Sequence, residues 1–342
     1  MTEPVVSFNN VDIVFGSKPQ TALPLIDAGM NRAEIQDKTG QVLGVAGATF
    51  DINEGEVIVL MGLSGSGKST LLRAVNGLNP VIRGEVLVRN GDKTVNPATC
   101  SQEELRQLRR HRIAMVFQQF ALLPWRTVAE NVGFGLELSG MKPAERREKV
   151  SHQLKLVGLE GWGGMQVHEL SGGMQQRVGL ARAFATEAPV LLMDEPFSAL
   201  DPLIRDRLQD ELLDFQASLN RTIIFVSHDL DEAAKIGSRI AIMDGGRVIQ
   251  LGTPQEIVRK PANDYVADFV GHMNPLNVLR AKDIMSACDR TPVPEGAVTC
   301  LAATPLRDVI KLKRQSETEI LVAEEGRVLG RIGEGELLDS MI

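Results

Sequence analysis

No stretch of this 342-residue sequence is apolar for long enough to cross a bilayer. The longest aliphatic runs, such as Val57-Ile58-Val59-Leu60-Met61, are strand-sized, far short of the ~20 residues that a membrane helix needs. Nor is there a secretory leader with a basic start and an apolar stretch, because the chain opens Met1-Thr2-Glu3-Pro4; it is expected to stay in the cytosol. Basic runs are missing too. Lys and Arg total 37 against 44 Asp and Glu, a net charge of -7, so nucleic acid is not an expected partner. Cysteine is scarce: Cys100, Cys288 and Cys300 lie far apart in no metal-ligand spacing and read as reduced structural thiols. Rings are few, with one tyrosine and two tryptophans. The length leaves room for about two domains and a substantial core.

What is present is glycine-centred punctuation. Gly62-Leu63-Ser64-Gly65-Ser66-Gly67-Lys68-Ser69 is a complete phosphate-binding loop, followed by Thr70. It lies between an apolar run of buried-strand type, Glu56 to Met61, and helical spacing from Lys68 to Leu78 that ends before Pro80. Gly62, Gly65 and Gly67 let the backbone close around phosphates with amide N–H groups inward. Lys68 brings a point charge to the β and γ oxygens. Ser69 is suited to Mg²⁺, a small ion that takes octahedral oxygen ligands shared between protein and phosphate. Asp194 ends the apolar strand Val190 to Met193, which puts a carboxylate at the sheet edge beside such a metal, and Glu195-Pro196 follows it.

Elsewhere the pattern is that of an α/β core with inserts. Residues 5 to 15 look like an opening strand region. Residues 17 to 46 interrupt the hairpin leading into Ala48 to Ile52 and contain a short helical stretch at 31 to 38. Ser101 and Glu104 form a capping box for a helix to about Arg112, before a strand from Ile113 to Phe117. Pro143 opens a helix with Val150, Leu154 and Val157 on one face and Gly158 as its stop. Residues from about 119 to 175 are therefore mostly helical. Asp229 and Glu232 form a further cap after the strand Thr222 to Val226, so the candidate catalytic residues sit at strand ends, where open α/β sheets bind ligands.

The string Leu170-Ser171-Gly172-Gly173-Met174, followed by Leu191-Leu192-Met193-Asp194-Glu195, closely resembles the nucleotide-binding subunit of an ATP-binding-cassette (ABC) transporter. The resemblance covers roughly residues 5 to 275. It implies a P-loop cassette with a RecA-like core, an antiparallel β subdomain and an inserted helical subdomain at about 119 to 175. The cofactors implied are ATP and Mg²⁺, with Ser69, Gln118 and Asp194 around the metal and Gly62 to Thr70 on the nucleotide. In this family Glu195 polarises the attacking water and His228 is the switch histidine against the γ-phosphate. Gln118, in Met115-Val116-Phe117-Gln118, resembles the Q-loop glutamine. His111, His152, His168 and His272 lack such a setting and read as surface or structural. Ser171, Gly172, Gly173 and Gln175, at the start of a helix from Met174 to about Thr186, act in trans by the family's solution. Ser198-Ala199-Leu200-Asp201 matches the D-loop. With one copy of each motif, two chains are needed to sandwich ATP, and a two-fold homodimer closes most simply. Phe15 occupies the place of the adenine-stacking ring, with plain core as the other reading; Trp125, Trp162 and Tyr265 lie in the wrong regions.

Within the family the likeness is nearest to the ATPases of quaternary-amine importers. It rests on Lys38-Thr39-Gly40 with Leu43-Gly44-Val45, on Ser198 to Arg205, and on Pro261-Ala262-Asn263-Asp264-Tyr265-Val266. Asn76-Gly77-Leu78-Asn79-Pro80 and Leu123-Pro124-Trp125 look more like the choline branch, so a choline importer is the leading expectation and a glycine betaine/proline-type importer the alternative. The implied partners are membrane permease subunits and, indirectly, a periplasmic or extracellular solute-binding protein. The implied place is peripheral, on the cytoplasmic face of the bacterial inner membrane. Phe120, Leu122, Leu123 and Trp125 either line a groove for a permease helix or pack inside the helical subdomain. The cassette is assigned to residues 1-274 and the remainder, 275-342, to a small α+β tail with strands from Val298 to Leu301, Glu319 to Ala323 and Val328 to Ile332, a helix from Pro305, a turn at Glu324-Glu325-Gly326 and a last helix, resembling one half of a paired CBS module or serving only dimer contact. Osmoregulated relatives carry a tandem pair, and this tail has room for about one. Readings outside transport fare worse. A soluble ABC ATPase of DNA repair or translation needs coiled-coil arms, a zinc insert or a second cassette, and a non-hydrolytic regulator is expected to lack Glu195 or His228.

Overall fold

A computed structural model describes residues 4–271, 273–290, 293–294, 296–316, 318–324 and 326–340. The chain divides into two compact units, residues up to His228 with Ala241–Ile249, and Asp229–Ile240 with Gln250 onward. The opening tripeptide, His272 and Glu325 of the expected turn at 324 to 326 lie outside the described residues.

The first unit opens with a long antiparallel hairpin, β1 (Val6–Phe15) and β2 (Val42–Ile52). Its connection holds two helices, α1 (Leu23–Asp27) and α2 (Arg32–Thr39). The insert is thus shorter than expected. Phe15, Val14 and Ile13 pair with Val42, Leu43 and Val45, so residues that read as loop, because Gly44 and Gly47 interrupt them, are strand. β3 (Val57–Met61) runs through the glycine loop into α3 (Lys68–Ala74). That helix stops short of the expected Leu78, since Gly77 turns left-handed at φ 68° and Leu78 N–H bonds back to Arg73. The hairpin β4 (Arg83–Asn90) and β5 (Lys93–Val95) completes an antiparallel sheet in the order β2-β1-β4-β5.

α4 (Gln102–His111), capped reciprocally by Ser101 and Glu104, feeds β6 (Ile113–Val116). The helical insert contains α5 (Val128–Val132), α6 (Phe134–Leu138) and α7 (Pro143–Leu156). α8 (Gly172–Ala185) leads back to β7 (Val190–Asp194). α8 begins two residues earlier than expected: Ser171 is its N-cap, so the two glycines form the first turn although glycine disfavours helix interiors. α9 (Pro202–Leu219), β8 (Thr222–Val226), β9 (Arg239–Asp244) and β10 (Arg247–Gly252) follow.

The main sheet has the order β10-β9-β3-β8-β7-β6. β3, β8, β7 and β6 are parallel, and every residue of β3, β7 and β8 is buried, which is why they read as unbroken apolar runs. This order places the site. The carboxyl ends of four adjacent strands deliver the glycine loop, His228, Asp194-Glu195 and Gln118 side by side.

The second unit contains α10 (Leu230–Ile236), α11 (Pro254–Arg259), α12 (Asp264–Val270), α13 (Pro275–Val278) and α14 (Ala281–Ile284). It ends in a four-stranded sheet of β11 (Ser286–Arg290), β12 (Thr299–Cys300), β13 (Ile320–Glu324) and β14 (Arg327–Ile332), in the order β11-β14-β13-β12. α15 (Leu306–Arg314) and α16 (Glu334–Asp339) cover a core that includes Leu279, Leu306, Val309, Ile320, Val322 and Ile332. β11 was not expected: its sequence, Ser-Ala-Cys-Asp-Arg, has no apolar alternation, and it pairs only along one edge of β14. All three cysteines are free thiols. Among the described residues no helix is long and apolar enough to cross a membrane.

Candidate functional site

A cleft of about 410 Å³ opens at the carboxyl ends of the parallel strands. Phe15, Gly44, Ser64, Gly65, Gly67, Lys68, Ser69, Thr70, Gln118, Glu195 and His228 line it, joined by Arg32 from the insert. All but Gly44 and Arg32 are expected at the site from the sequence, in which Gly44 figures only in the likeness to quaternary-amine importers. Two glycines of the loop are sterically required. A Cβ at Gly62 would lie 2.0 Å from the carbonyl oxygen of Met243, and one at Gly67 would lie 2.4 Å from that of Gly44. Both also hold positive φ, 140° and 102°, which side chains rarely adopt. Lys68 is buried, and its Nζ donates to the carbonyls of Gly62 (2.8 Å) and Leu63 (3.0 Å). Burial pushes its pKa down, while Glu195 and Asp194 act in the opposite direction. Leu63 is exposed on the loop, whereas Ser66 Oγ is buried without a hydrogen-bond partner among the described residues.

Ser69 Oγ donates to Asp194 Oδ1 at 2.6 Å, which brings together two of the three residues expected around a metal. The other oxygen of the fully buried Asp194 accepts from Arg73 at 2.8 Å. Gln118, the third, instead turns its amide Nε2 to Glu195 Oε2 at 3.3 Å, and His228 Nδ1 lies 3.5 Å from the same oxygen. Glu195 itself has φ 48°, a left-handed conformation that costs a non-glycine residue on the order of 1 kcal/mol or more. Its backbone is held from two sides: its N–H donates to the Val226 carbonyl, and its carbonyl accepts from Gln176 Nε2 at 3.2 Å.

Ser171, Gly172, Gly173 and Gln175 do not line this cleft. Ser171 and Gly172 are exposed at the tip of α8, and Gln175 Nε2 donates to the Leu170 carbonyl at 3.1 Å. Asp201 is exposed and caps α9 by accepting from Ile204 N–H at 3.1 Å. Phe15 ends β1 with its ring partly exposed at the cleft, packed where a Gly44 side chain would stand. His111, His152 and His168 are exposed and away from the site. Phe120, Leu122 and Leu123 are half-buried and Trp125 is 73% exposed. The larger hollow of the helical insert, about 540 Å³, is lined by residues of α5 and α7 and their flanks and by none of those four.

Besides Gly44, sequence reasoning missed four residues of the site, Arg32, Arg73, Gln176 and Arg182. Arg73 was findable, because it stands one turn after Ser69 on α3. Gln176 is 1% exposed; its Oε1 accepts from Ala199 N–H at 3.0 Å while its Nε2 holds the Glu195 carbonyl. Arg182 donates from its two terminal nitrogens to the carbonyls of Phe120 (2.8 Å) and Ala121 (2.7 Å), two residues at positive φ just beyond Gln118. Neither of these, nor Arg32, carries a sequence signal, since their partners are backbone groups distant along the chain.

Residues 45–198 match the family model for ABC transporters. The glycine betaine/proline betaine transport ATP-binding protein ProV of Escherichia coli is 49% identical over 92% of this chain and 76% of its own length. OpuAA, the glycine betaine transport ATP-binding protein of Bacillus subtilis, is 44% identical over 91% of this chain and 74% of its own length. TmoW, the trimethylamine N-oxide transport ATP-binding protein of Ruegeria pomeroyi, is 41% identical over 100% of this chain and 98% of its own. Among solved structures, the ATP-binding cassette MJ0796, a dimer bound to ADP and phosphate, superposes with a TM-score of 0.63 at 30% identity, over 73% of this chain and 98% of that one. With the glycine loop, the buried aspartate and the following glutamate already assembled at one sheet edge, the chain belongs to the ATP-binding subunits of ABC transporters, transport-coupled ATPases, within the betaine and quaternary-amine importer group.

Proposed function

We propose that this chain hydrolyses ATP as a homodimer on the cytoplasmic face of a bacterial membrane and so powers a permease that imports glycine betaine or a close methylated-ammonium relative. One observation carries the sandwich: the exposed tip of α8 lies outside its own chain's cleft, while Phe15, Lys68, Ser69, Gln118, Glu195 and His228 all line that cleft. The helix tip offers amide N–H groups and the positive end of the helix dipole to an anion, which on this reading is the γ-phosphate in the partner's cleft. Lys68 and the loop amides bind the phosphates, and Phe15 packs on the adenine.

Glu195 aims its carboxylate at the attacking water and takes its proton. His228 and Gln118, both on the same carboxylate oxygen, fix that carboxylate and register the γ-phosphate. The hard-oxygen pair of Ser69 and Asp194 suits Mg²⁺, with Gln118 near enough to join on closure. The ion, when bound, neutralises charge on the β and γ oxygens.

The solute reading moves from choline to glycine betaine. ProV and OpuAA, the more similar of the relatives above, are named for betaines, and choline stands in the combined name of the less similar OpuCA of B. subtilis, at 38% identity. Trimethylamine N-oxide is the second reading, favoured by the end-to-end match with TmoW. The tail beyond Asn274 is read as a half CBS-like module. Reconstituting the chain with its permease and solute-binding protein in vesicles tests the assignment. Glycine betaine is expected to stimulate ATP hydrolysis more than trimethylamine N-oxide or choline at equal concentration; stimulation by choline alone overturns it.

A further inference from the structure

We infer that the insert between β1 and β2 is part of the nucleotide site, and that Arg32 is a second cation for the nucleotide's phosphate chain beside Lys68. The inference rests on reading the cleft as the ATP site. Arg32 is the first residue of α2, and its guanidinium donates through one terminal nitrogen to the carbonyl of Gly65, inside the phosphate-binding loop. It lines the cleft with Lys68, Ser69 and Thr70. A guanidinium has five N–H donors, and one is used here. No carboxylate among the described residues pairs with Arg32, whereas the nearby Arg73 is tied to Asp194. An arginine with spare donors at the mouth of an anion cradle matches the planar oxygen edges of phosphate better than it matches water.

Arg32 is also held in place. Asn31 and Glu34 close a reciprocal capping box at the start of α2, fixing the backbone of the turn that bears Arg32. Ile35, one turn on, is fully buried in a small core with Val14, Ala22, Ile26, Leu43 and Ala46, so α2 is braced on the hairpin. The guanidinium therefore reaches the loop from a rigid support, at low entropic cost.

Binding of ATP, ADP, adenosine and inorganic tripolyphosphate to the full-length chain, wild type, Arg32→Ala and Arg32→Lys, separates the possibilities. Arg32→Ala is expected to weaken ATP and tripolyphosphate about tenfold, the loss of one charge-assisted contact, and to leave adenosine unchanged. Arg32→Lys is expected to recover part of the loss. Equal ATP affinity in wild type and Arg32→Ala, or an adenosine affinity that falls as far as that of ATP, overturns the inference while leaving the ATP site standing. Failure of the wild type to bind ATP at all sinks the reading of the cleft itself. The melting temperature without nucleotide guards against a folding artefact: Arg32→Ala is expected within about 2 °C of wild type, because the capping box and the Ile35 core remain. A larger drop that tracks the affinity loss in Arg32→Lys as well overturns the inference in favour of a purely structural arginine.

Discussion

At the scale of single residues, the site turns on Glu195, whose side chain is aimed by a backbone that pays for its direction. Its left-handed φ is sustained by hydrogen bonds on both its N–H and its carbonyl. Replacing it by glutamine keeps the shape and removes the base. Glu195→Gln is expected to lower hydrolysis at least about 100-fold while ATP still binds and holds two chains together, read by phosphate release and by size-exclusion chromatography with Mg-ATP. Hydrolysis within about twofold of wild type refutes its role as base. Most of this was legible in the sequence, because Asp194, Glu195 and His228 lie at or just past the end of an unbroken apolar run, and a residue at the end of a buried parallel strand has few places to be, while Lys68 is fixed by the glycine loop that follows the run Val57 to Met61. The left-handed turn at Glu195 was not legible: Pro196 marks a break but not the sign of φ.

At the scale of elements, α8 does more than present its tip. Gln176 on its first turns holds the backbone of Glu195 and Ala199, and Arg182 near its end holds the turn after Gln118. One helix thus fixes two catalytic segments through hydrogen bonds to backbone, contacts that leave no trace in residue pattern. Burial lowers the pKa of Arg182, so its charge is costly unless the two carbonyls repay it. With Arg182→Ala the Phe120 and Ala121 turn, strained at positive φ, loses both of the hydrogen bonds that Arg182 makes to it from α8. The expected outcome is a kcat about tenfold lower with KM for ATP changed less than about twofold, since Gln118 is misplaced and the phosphate loop untouched. Steady-state ATPase kinetics check this, with a rise in KM as the contrary result. Element boundaries were the less legible part. Gly172 and Gly173 read as loop yet start a helix, because Ser171 caps it, and Val42 to Ala46 read as loop yet pair with β1. In both cases a non-local partner overrides local propensity.

At the scale of the whole molecule, the strand order β3-β8-β7-β6 is what converts four distant sequence motifs into one cleft, and it is the part of the fold that the motifs jointly imply. The tail was legible in its later half, where β13, β14 and α15 fall close to the expected segments, and not in β11, whose polar sequence gains its structure from β14 alone. The outward-facing tip of α8 has one more consequence. On the proposed reading each composite site borrows one half from either subunit, so damage is distributed across the pair like mismatched gloves. Chains carrying Lys68→Ala and chains carrying Gly172→Asp are each expected to be inactive alone. Coexpressed, their mixed pair concentrates both lesions in one site and leaves the other whole, so a single working centre reappears in the mixture. Two inert stocks regaining turnover on mixing, or failing to, reports on borrowed halves without any image of the assembled complex.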